Sequence, residues 1–235
     1  MTNYKQMLAG LQGLMNNPTP RIAVALCLDV SSSMDGEPID ELNAGVGQYL
    51  TEIYNDDMTR NSAETAIVTF ADEAECLLDF NTVDQLALTP LEANGMTDMG
   101  KGLTLALDLL DKRKQQYKTV GVEYYQPILV VMSDGEPNGN PKVLKQATSR
   151  IQQMIAERKL TVIAVGIGEN ADMKMLNQLT RRDAVRMNGL YFREFFAWLS
   201  RSVAEVSASN PGDDFTLDQE ALSKLESEPW MENTL

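Results

Sequence analysis

Five residues of this chain form a set with one shared chemistry. Asp29, Ser31 and Ser33 alternate in Asp29-Val30-Ser31-Ser32-Ser33, Thr97 follows Gly95-Met96, and Asp134 sits in Ser133-Asp134-Gly135. Two carboxylates and three hydroxyls are hard oxygen donors. A small divalent cation that keeps several waters prefers such a set, Mg²⁺ above all, with Mn²⁺ or Ca²⁺ as substitutes. Residues two apart point the same way while a strand stays extended, so Asp29, Ser31 and Ser33 can face one point. Each residue also has an ordinary reading. Asp134 suits a turn, Thr97 or Asp98 a helix N-cap, and Ser31 to Ser33 a polar turn capping the helix that follows. Those readings account for any one residue. Five together at one end of one sheet point to a cation site.

Competing chemistries find little support. The chain has no histidine, which removes Ser-His-Asp and Cys-His catalysis, histidine-based zinc hydrolysis and any imidazole acid–base step. Its two cysteines, Cys27 and Cys76, are too few for a zinc site or a disulfide scaffold. Cys27 lies among Leu26 and Leu28 and reads as a buried filler, with no disulfide expected. Gly166-Ile167-Gly168 lacks the third glycine of a dinucleotide fingerprint. Asp35, Glu37, Asp72 and Glu136 fall near the same rim and read as solvated charges, and the scattered methionines as core filling.

The elements that must carry these residues are legible from periodicity. Residues 22–30 (IAVALCLDV) are apolar on both pleat faces until Asp29, the mark of a strand covered on both sides. Residues 38–54 place Ile39, Leu42, Val46, Leu50 and Ile53 at helical spacing. Segments 65–70 and 75–80 read as a hairpin around Ala71-Asp72-Glu73. Residues 99–112 predict a helix, 127–132 (PILVVM) a second doubly apolar strand, 141–158 a helix and 160–167 a strand. A short helix at 172–179, an edge strand at 184–187 and a closing helix at 191–206 complete the body. The order predicts an α/β fold: a doubly wound, mostly parallel sheet with one antiparallel strand and helices on both faces. Strand 22–30 belongs at the centre, with 127–132 beside it and the hairpin on its other side. In such sheets ligands bind beyond the carboxyl ends of strands where strand order reverses, and both Asp29 and Asp134 lie there.

Asp29-x-Ser31-x-Ser33, the Gly95-x-Thr97 turn and Ser133-Asp134-Gly135 after a later apolar strand resemble the metal-ion-dependent adhesion site of von Willebrand factor A domains. The resemblance spans about residues 20–206. The wording LDVSSSMDGEPI, GMTDMGKGL and VVMSDGEPN is most similar to bacterial TerY-type proteins linked to tellurite resistance. The resemblance implies that Ser31 and Ser33 ligate the metal directly. It also implies that Thr97 does so directly or through water, and that Asp29 and Asp134 hold coordinated waters or join the shell. It implies a protein-binding module in which a partner's Asp or Glu completes the coordination. The partners it suggests are a kinase, a phosphatase or an AAA+ ATPase of the same locus, in a bacterial stress system.

Composition bounds the rest. At 43% hydrophobic and 23% charged, the chain can bury a real core. A net charge of −14 argues against nucleic-acid or anionic-membrane partners. The start lacks a signal-length apolar core, and the longest apolar run is far short of the roughly 20 residues of a membrane span. The expectation is a cytoplasmic protein with an N-terminal segment over 1–20, one domain over 21–208 and an acidic tail over 209–235 holding seven acids and one base. Residues 3–14 are expected to form a short helix, and the tail to stay mobile. A Mg²⁺-dependent phosphohydrolase with Asp29 as nucleophile is the alternative. Such chemistry wants a second acid two residues on and a lysine for the phosphoryl group. Position 31 is serine, and Lys101 is the lysine the rim offers.

Overall fold

The computed structural model describes residues 14–17, 19–85, 88–180, 183–187 and 191–212. Six strands, β1 (Ile22–Asp29), β2 (Ala63–Phe70), β3 (Ala74–Thr82), β4 (Ile128–Ser133), β5 (Thr161–Ile167) and β6 (Val185–Met187), form one sheet in the order β3-β2-β1-β4-β5-β6. Every neighbouring pair is parallel except β2 with β3, the hairpin. The central position of β1 and the doubly wound topology are as the sequence predicts.

Among the described residues, six helices flank the sheet: α1 (Glu37–Asn55), α2 (Asp57–Ser62), α3 (Met99–Val120), α4 (Pro141–Ala156), α5 (Met173–Asn177) and α6 (Phe192–Ser207), beside the helical residues 14–16. Alternation along β1 decides which helices lie on which face. Ile22, Val24, Leu26 and Leu28 pack with Val46 and Tyr49 of α1 and with Phe195, Phe196 and Leu199 of α6. Ala23, Ala25 and Cys27 pack toward Leu103, Ala106 and Leu110 of α3 and Ile151 of α4. Every residue of β1 is buried, and burying each Leu, Ile or Val side chain contributes about 1.5–3 kcal/mol. That ladder holds the strand end bearing Asp29 in a fixed place.

The structure departs from the periodicity at two helices. The third runs on to Val120 because its buried face turns polar: Arg113 Nε and Nη2 each donate to Glu64 at 2.7 Å. The Tyr117 hydroxyl donates to the same carboxylate, and Arg21 lies 3.3 Å from it. Glu64 is 2% exposed in β2, so a buried ionic cluster extends the helix beyond the apolar stripe that ends at Leu110. The short α2 has no apolar stripe. It is set by Asp56, whose carboxylate accepts from the Thr59 N–H at 2.7 Å as an N-cap.

Cys27 is buried and Cys76 exposed, and both are free, as expected. Of the helix expected over 3–14, Leu14 falls within the described residues and is buried against the α3 face. The rest of that helix lies outside them, as does the tail from residue 213. Among the described residues no helix is long and apolar enough to cross a membrane.

Candidate metal centre

The β1–β4 ladder pairs Leu28 with Met132. The next residue on each strand, Asp29 and Ser133, therefore emerges side by side. Asp29 is fully buried, and both its oxygens are engaged. Oδ1 accepts from the Ser31 N–H at 2.9 Å and Oδ2 from the Ser133 hydroxyl at 2.6 Å. The first bond folds the chain after β1 into a short 3-10 turn over Ser32–Met34. Ser31 and Ser33 are thereby turned to each other with their hydroxyl oxygens 3.1 Å apart. The Ser33 hydroxyl in turn donates to Asp134 Oδ1 at 2.9 Å. Four of the five expected residues thus form one continuous polar array across the ends of two strands.

Thr97 reaches this rim through its backbone. The Ser32 N–H donates to the Gly95 carbonyl at 3.0 Å, and the Asn94 N–H to the Val30 carbonyl at 2.8 Å. Gly95 has φ +73°, and a Cβ there would lie 2.7 Å from Asp72 Oδ2, so glycine is required on both counts. Asp72 Oδ1 accepts from the Met96 N–H at 3.1 Å. The Thr97 N–H donates to Asn138 Oδ1 at 2.9 Å, while the Asn138 N–H donates to the Thr97 carbonyl at 3.0 Å. Asp98 then caps α3 by accepting from the Lys101 N–H at 3.2 Å. Thr97 is buried at 5% exposure and held between loops from β1, β2 and β4.

Three residues of this scaffold carried little signal in the sequence. Ser133 closes the strand inside Ser-Asp-Gly, and nothing in its spacing aims it at Asp29. Asn138 follows Asp134 in an ordinary polar turn. Asp72 reads as a solvated charge and is exposed, and the structure adds that it also supports the Thr97 loop. Asp35, Glu37 and Glu136 are exposed at the rim.

The electrostatics favour neutralisation of the two carboxylates. Burial pushes the Asp29 carboxyl up to about 6, only partly opposed by its bonds from Ser133 and Ser31, and Asp134 adds to the rise. Burial also raises Asp134, against the bond from Ser33. A positive ion among these oxygens would restore both to the charged form. Among the described residues no three of Cys, Asp and Glu converge, so the carboxylates act here in a mixed set with hydroxyls. That donor chemistry fits Mg²⁺ or Mn²⁺ better than a soft metal. Ser33 is exposed and Asp134 half-buried, so the array opens to solvent on their side.

The family model of the von Willebrand factor type A domain matches residues 23–197. The human inter-alpha-trypsin inhibitor heavy chain H6 is 22% identical over 166 residues, covering 67% of this chain and 12% of that protein. Proximal thread matrix protein 1 of the mussel byssus, in a structure whose adhesion-site motif is occupied by zinc, is 19% identical. It aligns with a TM-score of 0.53 over 79% of this chain and 48% of that one. The PilB minor pilin of Streptococcus sanguinis aligns with a TM-score of 0.60 at 12% identity, over 82% of this chain and 64% of that one. These structures are alike in fold. The chain spans about half of the mussel protein and a small part of the human one.

Proposed function

The chain belongs to the von Willebrand factor type A domain family, and on that premise we propose that it is a non-catalytic, divalent-metal-dependent protein-binding module. The reading rests on one observation. Ser31, Ser33 and Asp134 converge within hydrogen-bond distance beyond the carboxyl ends of β1 and β4, beside buried Asp29. In this reading Ser31, Ser33 and Thr97 hold the ion, while Asp29 and Asp134 hold coordinated waters or join its shell. A bound cation supplies a local positive charge with a coordination position open to an incoming carboxylate. The protein's part is to present its hydroxyls on a rigid strand end, hold the two carboxylates close, and leave the Ser33–Asp134 side open. An Asp or Glu of the partner fills that position. The chain's net −14 slows approach of an acidic partner, so recognition concentrates at the ion.

Two observations disfavour the phosphohydrolase alternative. Asp29 is fully buried, and each of its oxygens already accepts a hydrogen bond from the protein, which leaves it poorly exposed for attack on a substrate. Lys101 Nζ is committed to the Asp72 carbonyl and the Glu73 carboxylate, each at 2.8 Å. For setting we propose a cytoplasmic, TerY-like role in a bacterial stress or tellurite-resistance system. The ion would be Mg²⁺, and the partner a kinase, phosphatase or AAA+ ATPase.

Capture of partners by the full chain in Mg²⁺ and in EDTA, read by mass spectrometry, tests this function. A partner at the site is lost in EDTA, regained with Mg²⁺, and weakened in Thr97→Ala, which removes one hydroxyl without changing charge. An interaction indifferent to both EDTA and Thr97→Ala would place the interface elsewhere.

A further inference from the structure

At the pole opposite the metal rim, a cavity of about 570 Å³ opens between the first residues of β4 and β5, the last turns of α3, the α4–β5 turn and the chain leaving α6. Its wall reverses the sign of the molecule. Lys114, Lys118, Arg158 and Lys159 line it with a single acid, Asp111, in a chain of net charge −14. We infer that this cavity is the docking site for the acidic segment that follows Gly212 in the same chain, residues 213–235.

Position supports that occupant first. Ser209 and Gly212 are themselves part of the wall. The Tyr125 hydroxyl donates to the Ser207 and Ser209 carbonyls at 3.2 and 2.8 Å, which fixes the chain's path from α6 to the cavity mouth. In sequence the acids at 213 and 214 follow directly on Gly212, a residue of that wall.

Charge supports it next. Residues 213–235 carry seven acids against Lys224 alone. Lys114 pairs with Asp111 and Lys159 with Glu157, each at 2.6 Å. The Lys159 pair is exposed, and such surface pairs are weak and exchangeable, whereas Lys114 is mostly covered beside Asp111. Lys118 stands exposed in the last turn of α3, where a helix end favours a cation. Arg158 has φ +55°, the one positive value at a non-glycine residue among those described. This conformation brings Arg158 and Lys159 to the same wall in succession. Because the segment is tethered at the mouth, docking is intramolecular, with an effective concentration in the mM range for a short linker. Individually weak pairs then suffice. The docked segment lies away from Asp29 and Asp134, so it caps the far pole and leaves the metal rim open.

Zero-length carbodiimide coupling of lysines to carboxylates in the full chain tests the assignment, using an equal mixture of ¹⁴N- and ¹⁵N-labelled protein. The expected links join Lys114, Lys118 or Lys159 to acids of residues 213–235 within one isotope. They are lost in high salt and in the Lys114→Glu, Lys118→Glu double variant, and kept in Lys145→Glu, which charges α4 outside the cavity. Hydrogen exchange of the wild-type chain at low and high salt provides a reading free of substitutions, with salt-sensitive protection expected across the acidic segment. Links mainly between isotopes would assign the cavity to a second copy. Links scattered over lysines elsewhere, or an acidic segment unprotected at low salt, would overturn the docking.

Discussion

Asn in place of Asp29 separates the cost of the buried carboxylate from its use. In the metal-free protein burial holds this carboxyl near 6, against an ordinary 3.8. Each pH unit of displacement corresponds to about 1.36 kcal/mol, so keeping Asp29 ionised at neutral pH costs about 3 kcal/mol. The sign follows from a folded-state value above the unfolded one. The contribution to stability is complete below about 4 and is lost as pH rises through about 6. Asn keeps an oxygen for the Ser31 N–H and turns an amide toward Ser133, whose hydroxyl can rotate to accept. Asp29→Asn is therefore expected to raise the melting temperature in EDTA at pH 7. At about 2–4 °C per kcal/mol for a chain of this length, the rise is about 6–12 °C. The decline in stability between pH 4 and 7 should be shallower in the variant than in the wild type, because Asp29 no longer titrates. With excess Mg²⁺ the order reverses in what is gained. The wild type acquires the ligand-linked increment, about 2.7 kcal/mol at one hundred times Kd, and the variant loses most of it. Calorimetry of both proteins in EDTA and in Mg²⁺, across that pH range, reads all four quantities. A variant no more stable than wild type in EDTA, or one keeping the full Mg²⁺ increment, refutes the reasoning.

Other perturbations probe the scaffold around the site. Glu64→Gln leaves Arg21 and Arg113 buried with their shared charge removed, and urea unfolding should show a loss of about 3–5 kcal/mol. Gly139→Ala would place a Cβ 2.2 Å from the carboxyl of Asp98, which is itself buried. The resulting shift of the Thr97 loop should cost about 1–3 kcal/mol and shrink the Mg²⁺-induced rise in melting temperature. Tyr125→Phe removes the donor to the Ser207 and Ser209 carbonyls. It should cost about 1 kcal/mol and speed hydrogen exchange at the end of α6, leaving the Mg²⁺ response unchanged.

Much of the frame was open to reading because its physics is local. The doubly apolar runs 22–30 and 127–132, short and rich in β-branched residues, read as strands covered on both faces. Polar residues at their ends must then emerge at a sheet edge, which brought Asp29, Ser31, Ser33 and Asp134 to notice as one group. Repulsion from −14 charges and the missing histidines needed no coordinates either. Long-range pairing was not available at that level. That Ser133 donates to Asp29, that Asn138 clasps Thr97 from both sides and that Asp72 sits under Gly95 depend on loops distant in sequence being brought together. Periodicity carries no record of such contacts. The end of α3 lies beyond the periodic stripe for a related reason: the partner of Arg113 and Tyr117 is Glu64, on another strand. The reversal of charge at the far pole is also invisible in a linear count, since Lys114, Lys118, Arg158 and Lys159 meet only when α3 and the α4–β5 turn pack side by side. Residue type sets what each group can do. Which groups act together is settled by packing, because burial and proximity, rather than order along the chain, set the strength of every charge and hydrogen bond.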